Sequence, residues 1–401
     1  MHDSYRRSSL GVRGYSIVFL FLLAGAACTD CTPGAVYEER TYLSPALPSS
    51  TIPPPPPGLK SVAEWEKQFL SVWNREHTAN YLLLSVSRDS WQFYNLAYAI
   101  DGNTAMYRAT GKLQYLDRAL LYVDNLVSTA GDSRSFPGSQ FKDGYRGWIS
   151  QHPDTRGEEV ALNESYCWRY VARLLRVIRE TPELYSNEHY REQYDRLLEF
   201  SEKNIFEKWF KRGATSFIYR ENTHMAAHWA SIAMSLSLMT TDENRKAQYD
   251  EVFTNINRSM PNYSSALRVQ MGINPTKPGA MFWSDEWGDR SPPGQDVAHG
   301  NGVVAYIVEA HDAGLEWEDD DIRALVVTLD SVIWPASPDR YAEFVDGSGR
   351  GNGWFNDGFM KLGRYSANLQ RRLEKHFVGN NTQFFGNAAL NVRLLSQTPS
   401  P

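Results

Sequence analysis

Paired amphipathic helices recur along most of this 401-residue chain. Apolar residues repeat at intervals of three and four, without competing runs of strictly alternating residues, which predicts helices almost throughout. The first helices of successive pairs begin roughly 60 to 75 residues apart, an interval that indicates a ring or solenoid of helical hairpins. The predicted helical segments are 91–110, 113–130, 158–180, 190–210, 223–240, 244–260, 296–313, 320–334, 355–377 and 382–395.

The two helices of a pair differ in composition. The first is rich in Ala, Ser and Gly, as in the segment around His224, and the second is more charged, as in the segment that starts at Tyr190. Small residues suit a crowded inner ring and charged faces suit an outer one. We therefore predict an all-α fold, an (α/α) toroid of about five to seven hairpins. The inner helices should begin at one open side, where their polar residues converge.

The N-terminal residues have the order of a secretory signal. Arg6 and Arg7 precede an apolar run, 17–24, that is too short to span a bilayer, and small residues then lead to Cys28. Cys28 is a candidate for lipidation and hence for membrane attachment, with ordinary signal cleavage as the alternative. We expect export, giving a periplasmic protein, an outer-membrane lipoprotein or a secreted protein.

A proline-rich segment, 44–58, separates this signal from the helical part. It cannot form a helix and predicts a stiff polyproline spacer. The expected organisation is a signal peptide over 1–27, a tether over 28–58 and a toroid catalytic domain over 59–401. Cys167 is the single cysteine of that domain, so no disulfide framework and no thiolate zinc site can form there.

The formal net charge of −6 gives the molecule no general attraction for polyanions. Broad nucleic-acid binding is therefore excluded as a function, and an acidic ligand has to be held by local Arg and Lys side chains.

One histidine pair gives the strongest chemical signal. His224 and His228 lie four residues apart on one predicted helical face, and Glu221 precedes them by one turn, where it is expected to orient an imidazole. A positioned histidine is the usual general base near neutral pH. Two alternatives are a pair of hydrogen-bonded core histidines and a zinc site, although the pair lacks the Glu of an HExxH motif and needs a distant third ligand.

Two loops carry further candidates for sugar recognition. The stretch from Trp283 through Trp287 to Arg290 leads to His299 at a helix start; aromatic faces stack on sugar rings and an arginine can pair with a uronate carboxylate. The glycine-rich segment 346–353 predicts a lip over the cleft, with Lys361 as a substrate contact. The predicted substrate-binding residues are Trp148, His224, Trp283, Trp287, His299 and Lys361.

Asn163 falls early in the inner helix before the histidine pair, where its amide can bond a substrate carboxyl or a local helix turn. The hairpin ring, the order of Asn163 and then His228, and the stretch 283–301 together resemble the alginate and glucuronan lyases of α/α-toroid type, with polysaccharide lyase family 38 the nearest. The resemblance covers 91–395. It implies β-elimination of an acidic, uronate-containing polysaccharide, with no metal and no other cofactor.

The resemblance also implies roles. Asn163 neutralises the uronate carboxyl with help from Arg290, His228 removes the C5 proton, and Glu221 orients His228. A tyrosine usually protonates the leaving oxygen in such enzymes, but none follows Arg290 closely. The candidates for that proton donor are Tyr145, Tyr166 and Tyr365.

Two rival functions remain open from the sequence. One is a glycoside hydrolase on the same scaffold, using two carboxylates. The other is a surface lipoprotein that binds glycans through Trp148, Trp283 and Trp287 without cleaving them. The candidate carboxylates for the hydrolase are Asp285, Glu286, Asp296 and Glu309.

Overall fold

The structure is a computed structural model that describes residues 52–335, 340–379 and 381–397. The predicted signal peptide and most of the predicted tether lie outside these residues. The helices of the described part are α1 (Val62–Glu76), α2 (Leu82–Ser85), α3 (Phe93–Thr110), α4 (Leu113–Thr129), α5 (Ala161–Glu180), α6 (Pro182–Tyr185), α7 (Glu188–Phe200), α8 (Lys208–Phe217), α9 (Thr223–Met239), α10 (Glu243–Arg258), α11 (Leu267–Gln270), α12 (Val297–Asp312), α13 (Asp319–Val327), α14 (Gly358–Lys361), α15 (Ala367–Leu373) and α16 (Thr382–Gln397).

Shorter elements connect these helices. Two antiparallel ribbons pair β1 (Gly131–Asp132) with β2 (Arg146–Gly147) and β3 (Gly272–Ile273) with β4 (Met281–Phe282). The 3₁₀ turns are Ser90–Gln92, Ser133–Ser135, Pro153–Thr155 and Leu362–Tyr365, and the π-helical segments are His77–Tyr81, Ser201–Glu207 and Thr328–Ile333.

Six inner elements close a ring. Helix α3 packs against α5, α5 against α9, α9 against α12, α12 against α14, α14 against α16, and α16 returns to α3. Helices α1, α4, α7, α10, α13 and α15 pack around this ring from outside. The predicted all-α toroid is confirmed, with six hairpins. Because each outer helix returns the chain, the inner helices run parallel and their N-termini open on one side.

Local sequence explains where the helices begin and end. Ser61 and Glu64 form a capping box at the start of α1, and Asp296 caps α12 by accepting the backbone N–H of His299. Helix α3 ends at Gly111, which has a left-handed backbone (φ 71°) that costs glycine little.

The last hairpin differs from the prediction. The segment 355–377 is not one helix but α14, a 3₁₀ turn and α15, and α16 is an inner helix although it was expected to be the outer member of its pair. Its partner on the outside is α1, which the sequence analysis did not recognise. The ring is thus closed by the two ends of the domain.

Close backbone contact between α3 and α16 makes this closure. A Cβ added to Gly386 would collide with the carbonyl oxygen of Gly102, and one added to Gly102 would lie 2.7 Å from the carbonyl oxygen of Thr382. We expect Gly386→Ala to destabilise the fold by about 1–3 kcal/mol, because overpacking forces the backbones apart. Thermal unfolding measures this, with the unhindered Gly144→Ala as control; equal melting temperatures would contradict the packing.

Within the described residues, no helix combines the length and the apolar character needed to cross a membrane. Cys167 is buried in α5 as a free thiol.

Candidate active site at the open end of the ring

The N-terminal turns of the inner helices bring imidazole, guanidinium and phenol groups together. Helix α3 contributes Tyr94 and Tyr98, α5 contributes Tyr166 and Arg169, α9 contributes His224 and His228, and α12 contributes His299. The loop between β4 and α12 is fixed beside them, since the backbone N–H of Thr223 donates to the carbonyl oxygen of Asp285 at 2.8 Å. Residues far apart in sequence therefore share one cleft.

His224 is held by a carboxylate. Its Nδ1 lies 2.7 Å from Oδ1 of Asp285, and the same carboxylate accepts hydrogen bonds from Gln295 (2.7 Å) and Asn222 (2.5 Å). Burial alone would raise the pKa of Asp285, but its hydrogen bond and charge interaction with His224 hold that pKa below the ordinary value. An ionised Asp285 favours the tautomer with the proton on Nδ1, and in that neutral tautomer the lone pair of the imidazole is on Nε2.

Gln295 stiffens this arrangement. Its amide oxygen accepts hydrogen bonds from the hydroxyl of Thr223 at 2.7 Å and from the indole N–H of Trp283 at 3.0 Å. Its amide nitrogen is thereby directed at Asp285, so the carboxylate that orients His224 is itself oriented.

His228 lies one turn further along α9 and is only 3% exposed. Its ring meets Tyr166 edge-on at 5.4 Å between centroids, and its Nδ1 has no hydrogen-bond partner among the described residues. Burial and the positive charge of Arg169 hold the pKa of His228 well below its ordinary value. His228 is therefore neutral near neutral pH.

His299 reaches the cleft from the start of α12. Its ring lies 4.5 Å from that of His224 between centroids, and its Nδ1 is 2.7 Å from Oδ2 of Asp296. The side chain is 50% exposed, so it can contact a ligand at the mouth of the cleft.

Aromatic rings form one wall. Tyr94 stacks on Tyr166 at 4.2 Å between centroids, and Tyr98 meets both Tyr166 and Trp354 edge-on at 6.4 and 6.3 Å. Trp91 and Trp354 are 42% and 39% exposed, which leaves ring faces available to a sugar. Burial raises the pKa of Tyr166 well above its ordinary value, so its phenol retains the proton.

Two arginines, Arg169 and Arg220, differ in how many side chains their guanidinium groups bond. Nη2 of Arg169 is 2.6 Å from the hydroxyl of Tyr170 and 2.9 Å from Oδ2 of Asp357. Arg220 bonds the exposed Glu221 at 3.2 Å, while its Nε is buried without a partner among the described residues. The Arg220 side chain is 15% exposed, so the outer guanidinium nitrogens, rather than the buried Nε, are the donors that an anionic ligand can reach.

A buried charge network lies beneath the cleft. Arg173 bonds Asp101 at 2.5 Å and Glu309 at 2.8 Å, and Lys361 bonds Asp357 at 2.7 Å. Asp357 also holds Arg169 and accepts the hydroxyl of Tyr170 at 2.5 Å. The network fixes Arg169 and the base of the cleft.

Several residues predicted to contact the substrate lie where they cannot do so as expected. Trp148 and Trp283 are buried, with indole N–H groups that donate to Thr129 and Gln295, so neither has a face for a sugar. Lys361 is wholly buried in the charge network rather than on a lip. Trp287 is half-buried and donates to the carbonyl oxygen of Arg220 at 2.6 Å.

The predicted catalytic residues are only partly brought together. Helix α9 begins at Thr223, so Glu221 lies before the helix rather than one turn back on its face, and Asp285 orients His224 instead. Arg290 is exposed and donates to the carbonyl oxygen of Val269. The amide of Asn163 is buried and donates to Ser90 at 3.1 Å. Of the four residues predicted to be catalytic, His228 is the one whose ring lies near His224 and His299, which were predicted as substrate-binding residues.

Of the three tyrosines proposed as proton donors, one lies in the cleft. Tyr145 bonds Glu207 through its hydroxyl, and the hydroxyl of Tyr365 bonds Asp312 at the far end of α12. Tyr166 packs against His228. In the part of the chain that the structure describes, no group of three or more His, Cys, Asp or Glu side chains is arranged to hold a metal ion.

The sequence analysis missed Arg220, Tyr94 and Tyr98. Tyr94 and Tyr98 have the same four-residue spacing at the start of an inner helix as His224 and His228, a signal that could have identified them. Arg220 directly precedes the histidine segment, but the direction of its side chain is set by the turn before α9, which the sequence pattern does not predict.

No family model matches the chain, and no curated protein matches its sequence. Among solved structures, the chain is similar to an inactive variant of an α-1,6-mannanase of Salegentibacter sp. HEL1_6 in complex with α-1,6-mannotriose, at 12% identity and a TM-score of 0.45 over 83% of this chain and 100% of that one. A polysaccharide lyase matches at 10% identity and a TM-score of 0.46, over 85% and 100%. A glycosyl hydrolase of family 88 from Bacteroides vulgatus matches at 12% identity and a TM-score of 0.47, over 84% and 99%.

Proposed function

We propose that this chain is a polysaccharide lyase that cleaves a uronate-containing polymer by β-elimination, after export from the cytoplasm. One observation carries the proposal: the cleft gathers an oriented imidazole, a protonated phenol and a partly exposed guanidinium, while Asp285 and Asp296 beside them are bound to partners. These are the groups that proton abstraction next to a carboxylate requires.

The reaction divides among three side chains. Arg220 pairs with the uronate carboxylate and makes the C5 proton more acidic. Nε2 of His224 takes that proton as the C5–H electrons form the C4–C5 double bond. The C4–O bond breaks, and the phenol of Tyr166 protonates the departing oxygen. Each proton has a donor and an acceptor, and no water enters the products.

His224 suits the base role better than His228, to which the sequence analysis assigned it. Asp285 stabilises the imidazolium that forms on His224. Among the described residues, no carboxylate pairs with His228, and burial and Arg169 oppose its protonation. We assign His228 to packing against Tyr166 and holding that phenol in place.

The four carboxylates considered for a hydrolase do not favour hydrolysis. Asp285 is bonded by His224, Gln295 and Asn222. Asp296 is bonded by the ring and the backbone N–H of His299, and Glu309 is paired with Arg173. Of the four candidates, Glu286 alone is exposed, whereas a glycoside hydrolase needs two working carboxyl groups.

The test is a panel of alginate, glucuronan and glycosaminoglycans incubated with the protein while ultraviolet absorbance is followed. Elimination leaves an unsaturated, absorbing sugar end, so we expect absorbance to rise with at least one of them. Chain shortening without absorbance would indicate a hydrolase, and binding with no shortening would indicate the glycan-binding alternative; either result would overturn the proposal.

Arg220 and Arg290 give a matched pair of variants. We expect Arg220→Ala to lower kcat/KM by about a hundredfold, because a charged donor to the developing negative charge is lost. Arg290→Ala should leave it nearly unchanged, since this side chain is exposed and bonded to a loop carbonyl. Steady-state kinetics of both variants on the best polymer measures these changes in kcat/KM. If Arg290→Ala loses more kcat/KM than Arg220→Ala, the uronate carboxylate is recognised by the 282–290 loop instead.

A further inference from the structure

A second concave surface adjoins the histidine cleft. A cavity of about 550 Å³ lies between the α1–α2 region and the N-termini of α3 and α16, a size typical of small-molecule sites. Tyr98 and Trp354 line it, and Tyr98 also contacts Tyr166 in the cleft. A polymer chain bound across these rings reaches both places.

The chemistry of this cavity differs from that of the cleft. Its polar groups are mainly amides, which both donate to and accept from sugar hydroxyls. Among the described residues that line it, no Lys or Arg is present, and Glu76 supplies a negative charge. Its amide-bearing lining residues are Asn80, Gln92, Asn95 and Asn381.

Glu76 is fixed in this wall. Its carboxylate accepts hydrogen bonds from Asn80 at 2.5 Å and from Arg75 at 3.0 Å. A uronate here would lie beside the Glu76 carboxylate, and the guanidinium next to it, that of Arg75, is already bonded to that carboxylate. A neutral sugar instead meets amides, hydroxyls and the exposed face of Trp354.

We infer that this cavity binds an uncharged sugar unit, so that the substrate is a mixed polymer in which uronate and neutral sugars occur together, rather than a homopolymer of uronate. The inference rests on the proposed function for the cleft and adds the identity of the neighbouring unit. It replaces the alginate and glucuronan expectation with a heteropolysaccharide.

The first test compares two substrate classes. Initial rates of unsaturated-product formation are measured on a homopolymeric uronan and on a polymer in which a uronate alternates with a neutral hexose. We expect kcat/KM to favour the alternating polymer by about tenfold, a penalty in keeping with one like-charge contact. Equal or better cleavage of the homopolymer would overturn the inference while leaving the proposed function intact.

Charge variants test the cause of that preference. Glu76→Gln and Asn95→Lys should each raise kcat/KM on the homopolymer relative to the alternating polymer by about three- to tenfold, by removing a negative charge or adding a positive one. Asn95 is exposed, so its replacement should not disturb folding. Glu199→Gln on the exposed face of α7 changes net charge equally and should leave the ratio unchanged. If the ratio of kcat/KM on the homopolymer to kcat/KM on the alternating polymer is unchanged in Glu76→Gln and Asn95→Lys, the inference is contradicted.

A binding measurement separates the two proposals. Neutral hexose tetrasaccharides of gluco, galacto and manno configuration are titrated by calorimetry into the full chain, Trp354→Ala and His224→Ala. We expect binding of at least one that Trp354→Ala weakens about tenfold or more and His224→Ala does not. This result would support the cavity even if no uronate polymer yielded an unsaturated product, which would defeat only the proposed function. Absence of Trp354-dependent binding would overturn the inference.

Discussion

His224→Ala is expected to lose about a hundred- to ten-thousand-fold in kcat while keeping a near-normal melting temperature. The reason is that its Nε2 is the group proposed to take the C5 proton, and removal of a general base typically costs that much. His224 is in the first turn of α9, and its ring contacts the polar side chains of Asp285 and His299, so its truncation should disturb the apolar core little. Single-turnover kinetics on the preferred polymer, with a melting curve for each variant, measures both quantities.

His228→Ala is the matched control, one turn along the same helix. We expect a smaller fall in kcat together with some loss of stability, because this ring is buried against Tyr166. Asp285→Asn should also lower kcat, and the double variant with His224→Ala should be little worse than His224→Ala alone, since the pair acts as a unit. If His228→Ala folds and loses more activity than His224→Ala, the base is His228.

Asp357→Asn should have the largest effect on stability. This carboxylate bonds Lys361, Arg169 and Tyr170 in the interior of the ring. Its replacement by a neutral amide removes the carboxylate bonded to the buried Arg169 and leaves Lys361 with only its longer ion pairs, to Asp101 at 3.8 Å and Glu309 at 3.9 Å. Breaking a buried pair in this way typically costs about 3–5 kcal/mol. Urea unfolding at neutral pH measures the loss. Asp132→Asn, at an exposed ion pair with Arg134, is the control and should change stability little.

The contribution of Asp357 to the free energy of unfolding should decrease as the pH is lowered. Burial alone would raise its pKa, but Lys361 and Arg169 lower the pKa of Asp357 to about 2. A depressed pKa stabilises the fold above the ordinary aspartate value of about 4, and this contribution, about 2 kcal/mol, is lost as pH falls toward 2. The difference between the native chain and Asp357→Asn should therefore narrow across that range. A difference that is constant with pH would contradict the assigned pairing.

The sequence predicted the ring because helical periodicity and hairpin spacing are local signals. It assigned α16 to the outside by its order in the pair, although Gly386 and the alanines after it have the small side chains of an inner helix. The omission of α1 shifted the pairing at the end of the chain. A helix near the N-terminus that pairs with the last one leaves no local signal of that partnership.

The site was predicted only in part, because sequence spacing reveals neighbours on one helix but not partners from distant segments. His224 and His228 share a helix face, which spacing alone reveals, but the partner of His224 is Asp285, 61 residues away. Residue type could not separate the exposed Trp354 from the buried Trp148 and Trp283, since all three are tryptophans near loops. Which tryptophan faces the cleft is decided by the closure of the ring.

The most direct test of β-elimination is the fate of water. The preferred uronate polymer is cleaved to completion in water enriched in the heavy oxygen isotope, and the oligosaccharide products are weighed by mass spectrometry. Elimination uses no water, so the account predicts that the products carry no label from cleavage and that one product of each pair has an unsaturated end. One labelled oxygen for every bond cleaved, with saturated ends, would contradict it.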